Sequence, residues 1–367
     1  MSSNPFNPNF GNVPSLFIDR KEMVDKVASG IRELSEAPYQ TTLIYGIRGT
    51  GKTAFLNDVC SKFKDDKKWI VIYLTTNGNM LADLTESLIR KTKTSISKTV
   101  EALNLSISAY GVGIKTSASD GKQEVSYKNA LEELLEKMQQ KKMSLLIAVD
   151  EVSSDREVRE FTSVYNVLKN QNLPVALIMT GLPGNISELQ NDKVLTFLLR
   201  SFRVDLQPLN LMAVKYCYKK TFEGVGIKID DVILTKITKM TGGYAYAFQL
   251  LGYLIWDAVK DKKIDVHTVE NVMDDYRLGL YRNVYAKVYG DLTAVEKEFV
   301  KAVAHGEEDD VTIGFITEEL GKSKGYISSY RKRLLGEQII TSTGHGLVRF
   351  SLPYFKDFIL ESEALGE

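Results

Sequence analysis

Apolar positions in the first half of the chain gather in short, nearly unbroken runs: a stretch ending at Tyr45, then Trp69–Leu74, Leu145–Val149 and Val175–Met179. Runs of this length without polar alternation predict strands covered on both faces, the habit of a parallel sheet. Between them the period lengthens to that of helices, over Thr53–Cys60, Met80–Lys93 and Tyr127–Gln140. Strands alternating with helices predict an α/β core. From Pro208 onward only helical periodicity remains, over Leu211–Phe222, Val232–Met240, Tyr244–Val259 and His267–Tyr289, with Gly242-Gly243 separating the second from the third. A third regime follows. Thr293 and Glu296 form a capping box ahead of Phe299, Val300 and Val303. Ile313–Leu320 and Ser323–Leu335 give two more helices, and Ile339–Thr343 and Leu347–Leu352 alternate as strands about Gly344-His345-Gly346. Three helices and a hairpin make the winged-helix pattern.

Two segments carry weaker signals. Pro5, Pro8, Gly11 and Pro14 predict an irregular arm running over the surface of the core, ending at Asp19-Arg20-Lys21-Glu22, a capping box for a helix with Met23, Val27 and Ile31 on one face. Between residues 94 and 127, Leu105–Ser108 and Val112–Ile114 alternate around Tyr110-Gly111, the mark of an inserted hairpin. It reads either as a surface hairpin or as an element that contacts a partner or DNA.

Candidate chemistry concentrates where the first strand ends. Gly46-Ile47-Arg48-Gly49-Thr50-Gly51-Lys52-Thr53 fits G-x-x-x-x-G-K-[ST], the phosphate-binding loop, and Ala54 continues into the helix. Glycines let the backbone curl and aim its N–H groups inward, Lys52 supplies a point charge for phosphates, and Thr53 offers a hydroxyl to Mg²⁺. The run Leu145–Val149 ends in Asp150-Glu151, paired carboxylates at the carboxyl edge of a buried strand. Asp150 is placed to hold Mg²⁺ and Glu151 to orient or deprotonate water. Thr180 ends another buried strand, either to meet a γ-phosphate or its water, or simply to cap the strand. Arg200 and Arg203 flank a helix-to-strand junction, as an arginine finger or as surface ion-pair residues.

Composition narrows the partners. Lys plus Arg equals Asp plus Glu at 47 each, so no global field draws nucleic acid or anionic lipid, and binding must use a local patch. On the helix after Ser323, Lys324, Ser328, Lys332 and Arg333 fall outside the apolar face, with Lys322 before it and His345 at the hairpin tip. That suits contacts with double-stranded DNA. Glu307-Glu308-Asp309-Asp310 nonetheless leaves this segment acidic overall, which keeps a protein-binding role open. No run of about 18 apolar residues appears, so no membrane partner is expected and the cytoplasm is the expected location. Cys60 and Cys217 lack metal-ligand spacing and read as reduced thiols.

With these parts in this order the chain resembles ATPases of the AAA+ and STAND group, akin to archaeal and bacterial origin-recognition initiators. The resemblance implies a P-loop core over 1–208, a helical lid over 209–289 and a winged helix over 290–367. It implies that Ile18 to Arg20 lies near adenine, that Thr180 senses the γ-phosphate, and that Arg200 or Arg203 is a finger. One departure stands out: AAA+ lids usually place an arginine at the start of their third helix, whereas Gly242-Gly243-Tyr244-Ala245-Tyr246-Ala247-Phe248 has no cation before Lys260. STAND relatives favour Gly-Gly-x-Pro there, and Ala245 stands where that proline would fall. The expectation is a switch that binds ATP or ADP with Mg²⁺, hydrolyses ATP slowly, and sets the winged helix for DNA. The alternative is a signalling or defence switch that oligomerises or binds protein without DNA.

Overall fold

The computed structural model describes residues 3–9, 20–34, 38–95 and 127–366. The hairpin expected around Tyr110, and Ile18 and Asp19, lie outside the described residues. Helix α1 (Lys21–Arg32) precedes β1 (Thr41–Tyr45), α2 (Lys52–Ser61), β2 (Trp69–Leu74), α3 (Met80–Ser95), α4 (Tyr127–Gln140) and β3 (Ser144–Val152). Then come α5 (Arg156–Asn170), β4 (Val175–Gly181), α6 (Pro183–Asn191) and β5 (Phe202–Asp205). The five strands form one sheet in the order β2-β3-β4-β1-β5, with every pair parallel. Successive side chains serve opposite faces: Leu43 packs with α3 to α6, and Ile44 packs with α1 and α2. Because β1 lies between β4 and β5, the chain reverses its winding beside β1, where a crevice opens at the carboxyl ends.

Of the residues expected on the inner face of α1, Val27 and Ile31 are buried, together with Val24 and Ala28, while Met23 is exposed. Arg20 occupies the N-cap position without a side-chain cap bond.

Beyond the sheet, α7 (Leu211–Glu223), α8 (Asp231–Met240) and α9 (Ala245–Ala258) pack with α10 (Val266–Glu270) and α11 (Met273–Leu280), and the two-residue strands β6 (Lys228–Ile229) and β7 (Lys263–Ile264) pair alongside. The continuous helix expected from His267 to Tyr289 is broken. Asp265 and Thr268 cap α10 tightly, and α11 passes through a π turn, Tyr281–Tyr285, before α12 (Ala286–Gly290). The wider turn shifts the helical phase, so adjacent residues Val284 and Tyr285 are both buried. The C-terminal part follows the order α13 (Ala294–His305), β8 (Val311–Thr312), α14 (Ile313–Leu320), α15 (Lys324–Gly336), β9 (Ile340–Gly344), β10 (Leu347–Phe350) and α16 (Phe355–Ala364). Its sheet runs β8-β10-β9.

One apolar cluster joins the α7–α12 helices to the C-terminal part, and it also takes in Phe6 and Ile47. The N-terminal arm therefore departs from its expected course over the core. Phe6 is 2% exposed and sits among Tyr218, Phe222, Phe248 and Trp256, with ring centroids 5.5–6.4 Å away. Gly252 makes the room, since a Cβ there would overlap the Phe6 ring. Burial of a whole aromatic ring outweighs exposure of a polar arm, and Asn4 and Asn7 complete the docking through Tyr253, Asp257 and Gln249.

Candidate nucleotide site

The loop after β1 is shaped by its glycines. Gly49 and Gly51 hold φ of +80° and +89°, and Gly51 is the N-cap of α2, leaving the first N–H groups of that helix without intrahelical partners. Lys52 leads the helix and is 8% exposed; its Nζ donates to Gly46 O at 2.9 Å and Ile47 O at 3.0 Å. An ammonium has three donors, so one is left for a phosphate. Burial lowers the Lys52 pKa to about 8, with Glu151 and Asp150 opposing that shift.

The acidic pair reaches the same place through a bulge. Val149 pairs with Met179 but Val152 pairs with Gly181, so β3 carries one more residue than β4 across this step. A bulge bends the strand and redirects its side chains. Asp150 Oδ2 accepts from Thr53 Oγ1 at 2.7 Å, and Asp150 Oδ1 accepts from Thr180 Oγ1. Glu151 has φ +53°, a left-handed conformation unusual for a side-chain-bearing residue, and its N–H donates to Thr180 Oγ1 at 3.0 Å. Thr180 is fully buried and thus anchors both acids through one hydroxyl. Glu151 Oε1 lies 3.9 Å from Arg48 Nη1. Two hard oxygen donors, Thr53 and Asp150, stand side by side next to the N-terminus of α2 and the Lys52 ammonium, which fits Mg²⁺ and a polyphosphate.

Arg20 faces the same loop: its guanidinium donates to Thr50 O and, at 3.2 Å, to Gln207 O. Beside it a cavity of about 770 Å³ is lined by Arg20, Thr50, Gln207, Lys239, Tyr244 and Leu335, a size that suits a nucleoside. Arg200 and Arg203 are exposed at the far sheet edge. Arg203 donates to Leu199 O at 3.1 Å, and neither forms an ion pair among the described residues.

Sequence reasoning missed the residues that clamp the loop from outside. Tyr244 Oη donates to Arg48 O at 2.6 Å, and Tyr246 N donates to Gly49 O at 3.1 Å. The Tyr244 ring fills the space where a Cβ on Gly49 would project. Asn283 in the π turn donates to Tyr246 Oη at 2.7 Å. The sequence signal for the clamp is the phenol of Tyr244 directly after Gly242-Gly243.

Residues 17–180 match the family model described as "ATPase domain predominantly from Archaea". Over those residues the chain is similar to that archaeal ATPase domain. Residues 282–359 match a second model, a domain of unknown function (DUF8462). The fold of the chain is similar to the Walker-type ATPase PABY2304 of Pyrococcus abyssi, 14% identical, with 94% of this chain and 96% of that one covered at a TM-score of 0.62. It is also similar to the Aeropyrum pernix ORC2 protein, 12% identical, with 98% of both chains covered at a TM-score of 0.61. The chromosomal replication initiator protein DnaA of Oenococcus oeni is 21% identical over 237 residues, which span 64% of this chain and 43% of that relative. No described helix is long and apolar enough to cross a membrane.

On the C-terminal part, Lys322, Lys324, Ser328, Lys332 and His345 are exposed, and Lys324, Ser328 and Lys332 recur every fourth residue along one face of α15. Arg333 is exposed with them, as expected, but it is already paired. Its Nε lies 2.6 Å from Glu296 Oε1, and Glu296 is 2% exposed, so the guanidinium neutralises a carboxylate buried beneath α15. Near the hairpin, Arg349 and Thr343 are bound to Asp310.

Proposed function

We propose that the protein is an ATP-dependent switch whose nucleotide state sets the disposition of the C-terminal winged helix toward double-stranded DNA. The observation that carries this reading is that one continuous apolar cluster holds Ile47 of the phosphate loop together with helices α7–α12 and the segment bearing α15, while hydrogen bonds tie the loop to Tyr244 ahead of α9 and to Gln338 just past α15. Lys52 and the α2 amides bind the phosphates, Arg20 and the adjoining cavity receive the nucleoside, and Thr53 with Asp150 holds Mg²⁺. When bound, the ion draws charge from the phosphate oxygens. Glu151 orients the attacking water and takes its proton, held in place by Thr180, while Arg48 restrains its carboxylate. Arg200 and Arg203, exposed and free of ion pairs among the described residues, would act only across a subunit interface.

Lys324, Ser328 and Lys332 form the DNA face, with Lys322 and His345 at its margins. Fluorescence anisotropy with duplex DNA, in ATP, ADP or neither, at two salt concentrations, tests this. Binding should depend on nucleotide, vanish in Lys52→Ala, and lose about 0.9 of its log–log salt slope for each phosphate contact removed at Lys324 or Lys332. Absence of DNA binding in every state refutes it. A second reading, a switch that binds a protein partner, draws support from the hairpin, where Asp310 already neutralises Arg349.

A further inference from the structure

The end of α15 enters the nucleotide crevice. Gln338 lies just past that helix with φ +60°, outside the range side-chain-bearing residues favour. Its Oε1 accepts from Ile47 N–H at 3.3 Å and its Nε2 donates to Asp205 Oδ1 at 2.6 Å, at the end of β5. The preceding residue, Glu337, accepts from Gly184 N–H at 3.3 Å, in the first turn of α6 just after β4. A two-residue turn of the C-terminal part thus grips the carboxyl ends of β1, β4 and β5 together.

Ile47 is the centre of this grip. Its carbonyl accepts from Lys52 Nζ at 3.0 Å and from Thr50 Oγ1 at 2.8 Å, while its N–H goes to Gln338. Its side chain, 7% exposed, belongs to the apolar cluster of the α7–α12 helices and the C-terminal part, apart from both clusters of the sheet. One peptide of the phosphate loop therefore has its nitrogen and side chain held from outside the core, and its oxygen holds the phosphate-binding lysine. Displacing Ile47 displaces one of the two carbonyl oxygens that aim Lys52.

We propose that Gln338 is a positioning residue of the nucleotide site, supplied by the C-terminal part, which fixes Ile47 and through it Lys52. Asp205 is its anchor: it holds the amide so that the carbonyl end of Gln338 faces Ile47. Nucleotide affinity and docking of the C-terminal part are then linked, and each must change the other by the same factor. The inference rests on the ATP-binding reading above.

The test uses the full-length chain and a fluorescent ADP analogue. Gln338→Ala should weaken binding by about 3- to 10-fold, the range for loss of one neutral hydrogen bond. It should raise KM for ATP by a similar factor with kcat within about twofold, as for a lost binding interaction. Gln338→Glu keeps the size but sets two carboxylates against each other, so affinity should fall at least as far. Adding Asp205→Asn to Gln338→Glu restores donor and acceptor in reversed order and should return affinity to within about twofold of the wild type. A merely structural role would lower the melting temperature of Gln338→Ala while leaving ADP affinity unchanged, and that result, or failure of the Asp205→Asn rescue in a folded protein, overturns the proposal. Wild type that binds no nucleotide, or Lys52→Ala that binds as tightly as wild type, instead refutes the ATP-binding reading beneath it.

Discussion

Replacing Tyr244 with Phe isolates one bond at the phosphate loop. The ring stays, and with it the surface that fills the space beside Gly49; only the hydroxyl that donates to Arg48 O at 2.6 Å is lost. Tyr244 is 3% exposed, and burial pushes its phenol well above the ordinary value, so it remains a neutral donor at any physiological pH. Removing the donor leaves a carbonyl unpaired where water has little access, a cost of about 1–3 kcal/mol. If the bond forms only when the loop has its nucleotide-binding shape, the cost appears in affinity, and since 1.4 kcal/mol is about a factor of ten, ADP binding weakens by up to about two orders of magnitude. If the bond persists without nucleotide, the same cost appears in the urea unfolding midpoint. Both are read on one protein, by titration of a fluorescent ADP analogue and by denaturation with and without ADP. Gly49→Ala supplies the control. In wild type its Cβ would collide with Tyr244 Oη, whereas in Tyr244→Phe the nearest remaining atoms are Cζ of residue 244 at 2.7 Å and Tyr246 Cβ at 3.2 Å, so the two substitutions should couple favourably. Wild-type unfolding together with ADP affinity within about twofold in Tyr244→Phe would refute the clamp.

Three further outcomes follow from the same geometry. Glu151→Gln should lower kcat for ATP by about 10²- to 10⁴-fold, the usual contribution of a general base, and leave ADP affinity nearly unchanged in a binding titration. Phe6→Ala empties a pocket walled by aromatic rings and should cost about 3–5 kcal/mol in urea unfolding, whereas Phe6→Leu should cost less than half of that. His305 bonds Glu319 at 2.9 Å and Glu363 at 2.8 Å, and these carboxylates raise its pKa above the ordinary value. A raised pKa means the folded protein holds the proton more tightly: this stabilisation is complete below about pH 6.5 and fades as pH rises through the folded value. Thermal unfolding at pH 6 and pH 8 should show that loss in wild type and a smaller one in His305→Gln.

Much of the catalytic edge is written in short stretches of sequence. The Gly46–Thr53 loop, the strand leading into Asp150-Glu151 and the parallel sheet all follow from residue types over fewer than a dozen positions, because glycine freedom, strand period and helix start are local properties of the chain. The order of helices and strands after Thr293 was legible for the same reason. What local pattern did not carry was pairing. Phe6 has no strand or helix to give it a period, and only the room left by Gly252 decides where it docks. Arg333 lies outside the apolar stripe of α15, and only the approach of α13 brings Glu296 beneath it. The break between α10 and α11 and the π turn answer to the cluster they pack against.

The clearest division lies within the phosphate loop itself. Sequence alone determined the left-handed turns at Gly49 and Gly51 and the helix start at Lys52 and Thr53, since a backbone without Cβ atoms and a helix start are local properties. Tertiary structure alone decided what holds the loop from behind: Tyr244, 196 positions after Arg48, and Gln338, 291 positions after Ile47. Hydrogen bonds between residues so distant leave no periodicity, because the packing of Ile47 into the one apolar cluster that joins α7–α12 to the C-terminal part sets which donor meets which carbonyl.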